Sequence, residues 1–311
     1  MEHPFPVHHS IAALPPDSRI RQIYPDDLFP NGAPYTSSTT PTSYTNGHFT
    51  GGYVQLPYGR TRYWLLGPED GVKVVLIHGL STPGVTWTRY GPYLAERGFR
   101  VLVYDLYGKG YSDAPKTAYI ANIFVTQLAL LLQYLKWEHA HIAGFSMGGG
   151  ITAAFAATLP HLVSGKIVLM ASAGVHEQGD PPPEPPKGPD GKPSQVSSPI
   201  PQYQELIKLQ HELLPGYAEG VYSCLHGGPI HGLLWAFDKI AHTDAANGKQ
   251  MEVLIVHGTL DPLVAYADAL EIHRRIPHAQ LVTIEGAGHD FPIHEKYWEV
   301  GVKSIAAFLS T

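Results

Sequence analysis

Ala140-His141-Ile142-Ala143-Gly144-Phe145-Ser146-Met147-Gly148-Gly149-Gly150, continuing into Ile151-Thr152-Ala153-Ala154-Phe155-Ala156-Ala157, decides how the rest of the chain is read. Its first part is a short apolar run of the kind expected at the end of a buried strand. Gly144 to Gly148 then matches G-x-S-x-G, in which a strand turns into a helix so sharply that the central hydroxyl stands exposed above the sheet edge. Glycines two before and two after the serine relieve crowding that a Cβ would create. The glycines and alanines that follow predict a helix with little side-chain bulk, able to lie close against the sheet, and Pro160 marks its end.

Upstream, Lys73 to His78 is a nearly continuous apolar run, as a strand buried on both faces requires, and it ends in His78-Gly79-Leu80-Ser81. Arg100 to Asp105 reads the same way and opens a glycine-punctuated loop, Asp105 to Asp113. Helices are predicted from about Trp87 to Arg97 and from about Thr117 to Leu135. Tyr53 to Leu56 and Thr61 to Leu66, on either side of Pro57-Tyr58-Gly59-Arg60, read as a β-hairpin. Downstream, Lys166 to Met170, Val253 to His257 and Gln280 to Ile284 read as strands, with helices from about Ala265 to Arg275 and Lys296 to Leu309. Strands alternate with helices, so an α/β class is expected, its sheet mostly parallel and covered on both faces.

Two segments break this rhythm. Residues 1–48, rich in Pro, Thr, Ser and Tyr without a sustained period, predict an irregular arm that wraps the domain or stays mobile. Asp180 to Pro201 holds nine prolines, which exclude helix and central strand and suggest a linker or lid hinge. Gln202 to Leu214 and Gly232 to His242 predict helices whose apolar residues, Leu206, Leu213, Leu233 and Phe237 among them, suit a cap over a pocket. The expected division is therefore an arm (1–48), a first part of the core (49–173), a proline-rich linker with helical cap (174–247) and a second part of the core (248–311).

The 21 basic and 27 acidic residues give a net charge of -6 with no long run of either sign, so no nucleic-acid partner is suggested. No stretch approaches the roughly 18 apolar residues that cross a bilayer, and the N-terminus lacks the basic start and apolar run of a secretory signal. With a single cysteine, Cys224, excluding an intrachain disulfide, a soluble cytoplasmic protein is expected. The 18 histidines form neither H-E-x-x-H nor a Cys/His cluster, so no metal is expected.

With these features in place, the chain from about Tyr53 to Leu309, apart from the insertion, resembles the α/β-hydrolases. The resemblance implies an α/β-hydrolase fold with a mostly parallel central sheet flanked by helices and a helical cap inserted after the sixth strand. In the family order of nucleophile, acid and histidine it implies a triad of Ser146, Asp261 and His289, each at the C-terminal end of a predicted strand. The implied oxyanion donors are the backbone N–H groups of Leu80 and Met147. Glu177, after the preceding strand, is a second candidate acid. His78 is expected to shape the oxyanion loop and not to act as a base, and Asp105 and Asp113 to hold the core loop together.

Serine at position 146, where epoxide hydrolases and dehalogenases of the family have aspartate, argues against alkyl-enzyme chemistry. The loop at His78 lacks the repeated glycines of HGGG-type lipases and resembles the HG-x form of esterases, lactonases, C–C bond hydrolases and cofactor-free perhydrolases. The expectation is a serine hydrolase, needing no cofactor, of small to medium hydrophobic esters or lactones. Cleavage of a C–C bond in β-diketone-like compounds is the alternative, and a ligand receptor on the same fold is a third. Nothing in the sequence sets the oligomeric state.

Overall fold

Continuous apolar runs become the centre of an eight-stranded sheet in the computed structural model, which describes residues 5–29, 50–180, Pro186 and 201–311. Its strands are β1 (Thr50–Leu56), β2 (Gly59–Leu66), β3 (Val72–Ile77), β4 (Phe99–Tyr104), β5 (Ala140–Phe145), β6 (Val163–Met170), β7 (Glu252–Gly258) and β8 (Gln280–Ile284). They lie in the order β1-β2-β4-β3-β5-β6-β7-β8. From β4 to β8 every neighbour is parallel, while β2 runs antiparallel to both β1 and β4. A two-residue turn, Pro57-Tyr58, joins β1 to β2, so the hairpin is longer than its apolar residues predict.

The helices are α1 (Arg19–Ile23), α2 (Tyr90–Ala95), α3 (Ala121–Tyr134), α4 (Met147–Thr158), α5 (Pro201–Leu213), α6 (Pro215–Gly227), α7 (Leu234–Ile240), α8 (Tyr266–Arg275) and α9 (Trp298–Ser310). Because successive strand residues point to opposite faces, the same apolar runs feed two cores. Val75, Ile77, Ile142, Leu169 and Ile255 pack with α3, α4, α7 and α8, through Phe124, Phe155, Phe237 and Ile272. Val74, Leu76, Ala143, Val168 and Val256 pack with α2 and α9, through Leu94, Val302 and Ile305. Each such fully buried side chain contributes roughly 1.5–3 kcal/mol, which makes the sheet a rigid platform for the loops at its C-terminal edge.

Four departures from the sequence reading have physical reasons. The helix expected from Trp87 begins only at Tyr90, preceded by a 3-10 turn over Gly84–Trp87, because Pro92 has no N–H and fits only a first helical turn. Helix α6 was not anticipated: Gly216, Gly220 and Gly227 obscure its period, although Pro215 at its first position is a start signal. Helix α7, assigned to the cap, packs on α4 in the core layer, with Phe237 and Ile240 buried there. The insertion over α5 and α6 packs instead against α1 and the loop after β4.

Nor is the described part of the N-terminal arm wholly irregular. Val7–His8 pairs antiparallel with Ala114–Pro115, and Ile11, Ile20 and Tyr24 are fully buried. The remainder of the arm, and most of the proline-rich stretch read as a linker or hinge, lie outside the described residues. Among the described residues no helix is long and apolar enough to cross a membrane.

Candidate active site

Sheet pairing continues through Ser146 even as the chain turns. Its N–H donates to Met170 O at 2.8 Å and its carbonyl accepts from Ala173 N–H at 3.1 Å, with backbone angles of φ 56° and ψ −120°. An L residue adopts that conformation at a cost of roughly 1–3 kcal/mol, so its surroundings must enforce it. Both glycines of the motif do so by admitting backbone: a Cβ at Gly144 would stand 2.0 Å from Gly148 O, and one at Gly148 2.2 Å from Ile77 O. The serine is left partly exposed at the head of α4.

The loops after β7 and β8 are stitched to each other. Thr259 N–H donates to Ile284 O at 3.2 Å, Leu260 N–H to Ala287 O at 2.9 Å, and Gly286 N–H to the Thr259 hydroxyl at 2.9 Å. This brings Asp261, fully buried, to His289. Asp261 Oδ2 lies 2.7 Å from His289 Nδ1, and His289 Nε2 lies 3.0 Å from Ser146 Oγ. A carboxylate only accepts, so Nδ1 carries the proton and the bare Nε2 faces the serine hydroxyl.

Asp261 Oδ1 accepts the N–H groups of Leu263 and Val264, each at 2.9 Å. Burial alone would raise this carboxyl, but His289 and His257 beside it hold it well below the usual carboxylate range. Glu177 is exposed, and the acid that His289 meets is Asp261.

Two neighbours were not singled out from sequence. Phe145 packs at a tilt against the His289 ring with centroids 4.8 Å apart, and is itself met edge-on by Phe291. His257 donates Nε2–H to Val264 O at 2.9 Å and places the same nitrogen 3.4 Å from Asp261 Oδ2. Their signals were a ring inside the motif and a histidine four residues before the acid.

On the opposite side of the serine, Gly79 comes so close that an added Cβ would stand 3.3 Å from Ser146 Cβ. His78 is fully buried, accepts Leu106 N–H at Nε2 (2.9 Å) and donates Nδ1–H to Gly79 O (2.8 Å). Burial pushes its pKa down to about 3, so the ring stays neutral, and both of its nitrogens are engaged by backbone groups. Gly79 C=O and Leu80 N–H belong to one planar peptide group and point in opposite directions, so His78 sets the direction of the Leu80 donor. Met147 is the first residue of α4, where N–H groups have no intrahelical partner.

Farther off, Asp105 accepts Tyr24 OH, Gly84 N–H and Tyr111 N–H at 2.7–2.8 Å, and Asp113 accepts Arg60 N–H at 2.9 Å. Both tie loops together away from the serine. Among the described residues no group of three or more His, Cys, Asp or Glu side chains could hold a metal.

A family profile described as "alpha/beta hydrolase fold" matches residues 73–199, and one described as "TAP-like protein" matches residues 233–311. The 2-hydroxymuconate semialdehyde hydrolase of Pseudomonas sp. (strain CF600) is 30% identical over 245 residues, covering 70% of this chain and 81% of that protein. A non-heme chloroperoxidase of Streptomyces lividans is 27% identical over 255 residues, covering 72% and 87%. Among solved structures, a meta-cleavage product hydrolase from Pseudomonas fluorescens IP01 superposes with a TM-score of 0.66 at 25% identity, covering 84% of this chain and 97% of that one.

Proposed function

The chain belongs to the α/β-hydrolase family, and from that premise we propose that it is a serine hydrolase cleaving small to medium hydrophobic esters or lactones through an acyl-enzyme on Ser146. This reading rests on the unbroken relay from Ser146 Oγ through His289 to Asp261. Serine is a weak nucleophile at neutral pH, so His289 Nε2 takes its proton as Oγ attacks the substrate carbonyl. Asp261 keeps the ring in the required tautomer and stabilises the imidazolium. The negative charge that develops on the carbonyl oxygen is met by the N–H groups of Leu80 and Met147, fixed before the reaction begins. His289 then gives its proton to the leaving alcohol oxygen, and water attacks the acyl-enzyme by the same route in reverse.

Helices α5 and α6 act as the cap. Helices α5 and α6 contain no arginine, and their single lysine, Lys208, is exposed, which supports an uncharged substrate. The single thiol, Cys224, is buried and unpaired, which fits a reducing cytoplasm.

A second reading, hydrolysis of a C–C bond by the same triad, is favoured by the two relatives whose names denote a 2-hydroxymuconate semialdehyde hydrolase and a meta-cleavage product hydrolase. Product analysis separates the two. Incubation with p-nitrophenyl acyl esters, γ- and δ-lactones and a β-diketone is expected to give acid plus p-nitrophenol from the esters and a single hydroxy acid from each lactone, both lost on Ser146→Ala. Acid plus ketone from the diketone, with esters and lactones left intact, would transfer the assignment to the second reading.

A further inference from the structure

Ser81 follows Leu80, and two side chains of the insertion hold its carbonyl. Gln210 on α5, fully buried, donates Nε2–H to Ser81 O at 3.2 Å and accepts Gly110 N–H at Oε1 at 3.0 Å. A backbone N–H can only donate and a carbonyl can only accept, so this amide has one possible orientation. Tyr217 on α6, also buried, donates its hydroxyl to the same Ser81 carbonyl at 3.0 Å. The frame extends outward: Gly110 O accepts Ile11 N–H at 3.2 Å, and Arg19 on α1 grips Glu205 on α5 through two bonds of 2.7 and 2.8 Å. The segment Gly79–Ser81, which carries the Leu80 donor, is thus pinned at one end by His78 from the core and at the other by α5 and α6.

We propose that Gln210 and Tyr217 are positioning residues of the oxyanion loop, so that seating of α5 and α6 against the core sets the Leu80 N–H and the hydrolase is fully active only with its cap in place. The proposal rests on the reading of Ser146 and Leu80 given above. An oxyanion donor is effective only within about 2.7–3.1 Å of the charge it stabilises, and a misplacement of about 1 Å can cost 10²-fold in rate. Without Gln210 and Tyr217 the stretch between His78 and Gly84, whose N–H Asp105 holds at 2.8 Å, loses both ties at its middle. Neither side chain needs to touch substrate for this, so the loss falls on kcat and not on KM.

Tyr217→Phe removes one oxygen and keeps the packing; Gln210→Met removes the other tie at similar length. Both are assayed with p-nitrophenyl butyrate, active sites being counted by fluorophosphonate labelling. A trifluoromethyl ketone, whose serine adduct puts an oxyanion in the hole, is titrated in parallel. Tyr217→Phe is expected to lower kcat per active site roughly tenfold with KM within about twofold, and to weaken the ketone by the same factor. The ketone reads the donor without turnover, so it decides the matter even if the wild type cleaves this ester slowly. Unchanged kcat per site and unchanged ketone affinity in both variants would overturn the proposal, leaving the ties as packing alone. Turnover that survives Ser146→Ala would instead overturn the reading of the site itself, and the proposal with it.

Discussion

At the scale of single residues, Ser146, His289 and Asp261 form one hydrogen-bonded unit, so if they serve as the proposed nucleophile, base and acid their removal is expected to be costly and non-additive. Ser146→Ala or His289→Ala should each lower ester turnover by at least about 10⁴-fold, and the double variant should be little worse, as steady-state rates per folded protein will show. Asp261→Asn leaves the shape intact but turns the wrong imidazole nitrogen toward the serine, and a loss of roughly 10⁴-fold is expected from it too. The glycines of the elbow carry a stability prediction. In Gly148→Ala the new methyl group would meet Ile77 O at 2.2 Å and His78 O at 2.6 Å, and urea titration should show a loss of roughly 3 kcal/mol or more, or no folded protein. This part of the site was legible because strained turns demand particular residues: only glycine fits at positions 144 and 148, and the candidate triad members each lie just past the C-terminal end of a strand. Phe145 and His257 left only faint signals, because contact with the His289 ring or the Asp261 carboxylate requires no particular residue type or spacing along the chain.

Among the elements, the strands were read most surely and the insertion least. A strand buried on both faces shows itself as an unbroken apolar run, whereas α6 combines Gly216, Gly220 and Gly227 with polar residues and docks on α5 and on Ala114–Pro115. One such contact is unusual. Lys109, on the loop after β4, is fully buried with its Nζ 5.7 and 5.2 Å from the ring centroids of Tyr119 and Tyr217, and among the described residues the nitrogen has no hydrogen-bond partner. Gly220 of α6 lies beside the amine and one of the rings: a Cβ there would stand 3.3 Å from the Tyr119 ring and 3.5 Å from Nζ. Burial lowers the lysine's pKa, and attraction to two rings offsets only part of the lost hydration. Lys109→Met is therefore expected to raise stability by about 1 kcal/mol or more at neutral pH, seen as a higher melting temperature. A lower one would mean that the amine meets a need that burial and ring contacts do not reveal.

For the whole molecule, one buried and one partly buried histidine make the fold sensitive to acid. His78 and His141 have folded pKa values of about 3 and about 4 against an ordinary 6.5, lowered chiefly by burial. The unfolded chain therefore takes up more protons than the folded one below about pH 6.5, and stability falls as pH falls through that window. Asp105, raised to about 6 by burial, acts in the opposite sense between pH 6 and 4. Below pH 4 its offset is spent, while His78 and the depressed carboxyl of Asp261 still lose stability. The urea midpoint should thus decline from pH 6.5 and drop most steeply between 4 and 3; a midpoint that holds level to pH 3 would contradict burial of the neutral rings. Above all, the sheet, the stitched loops and the insertion surround the Ser146 hydroxyl, and a fluorophosphonate probe tests its proposed activation directly. Intact mass and peptide mapping should find a single adduct on Ser146, formed by displacement of fluoride and absent from folded Ser146→Ala. A folded wild-type protein that takes no label, or takes it at another residue, would contradict the account.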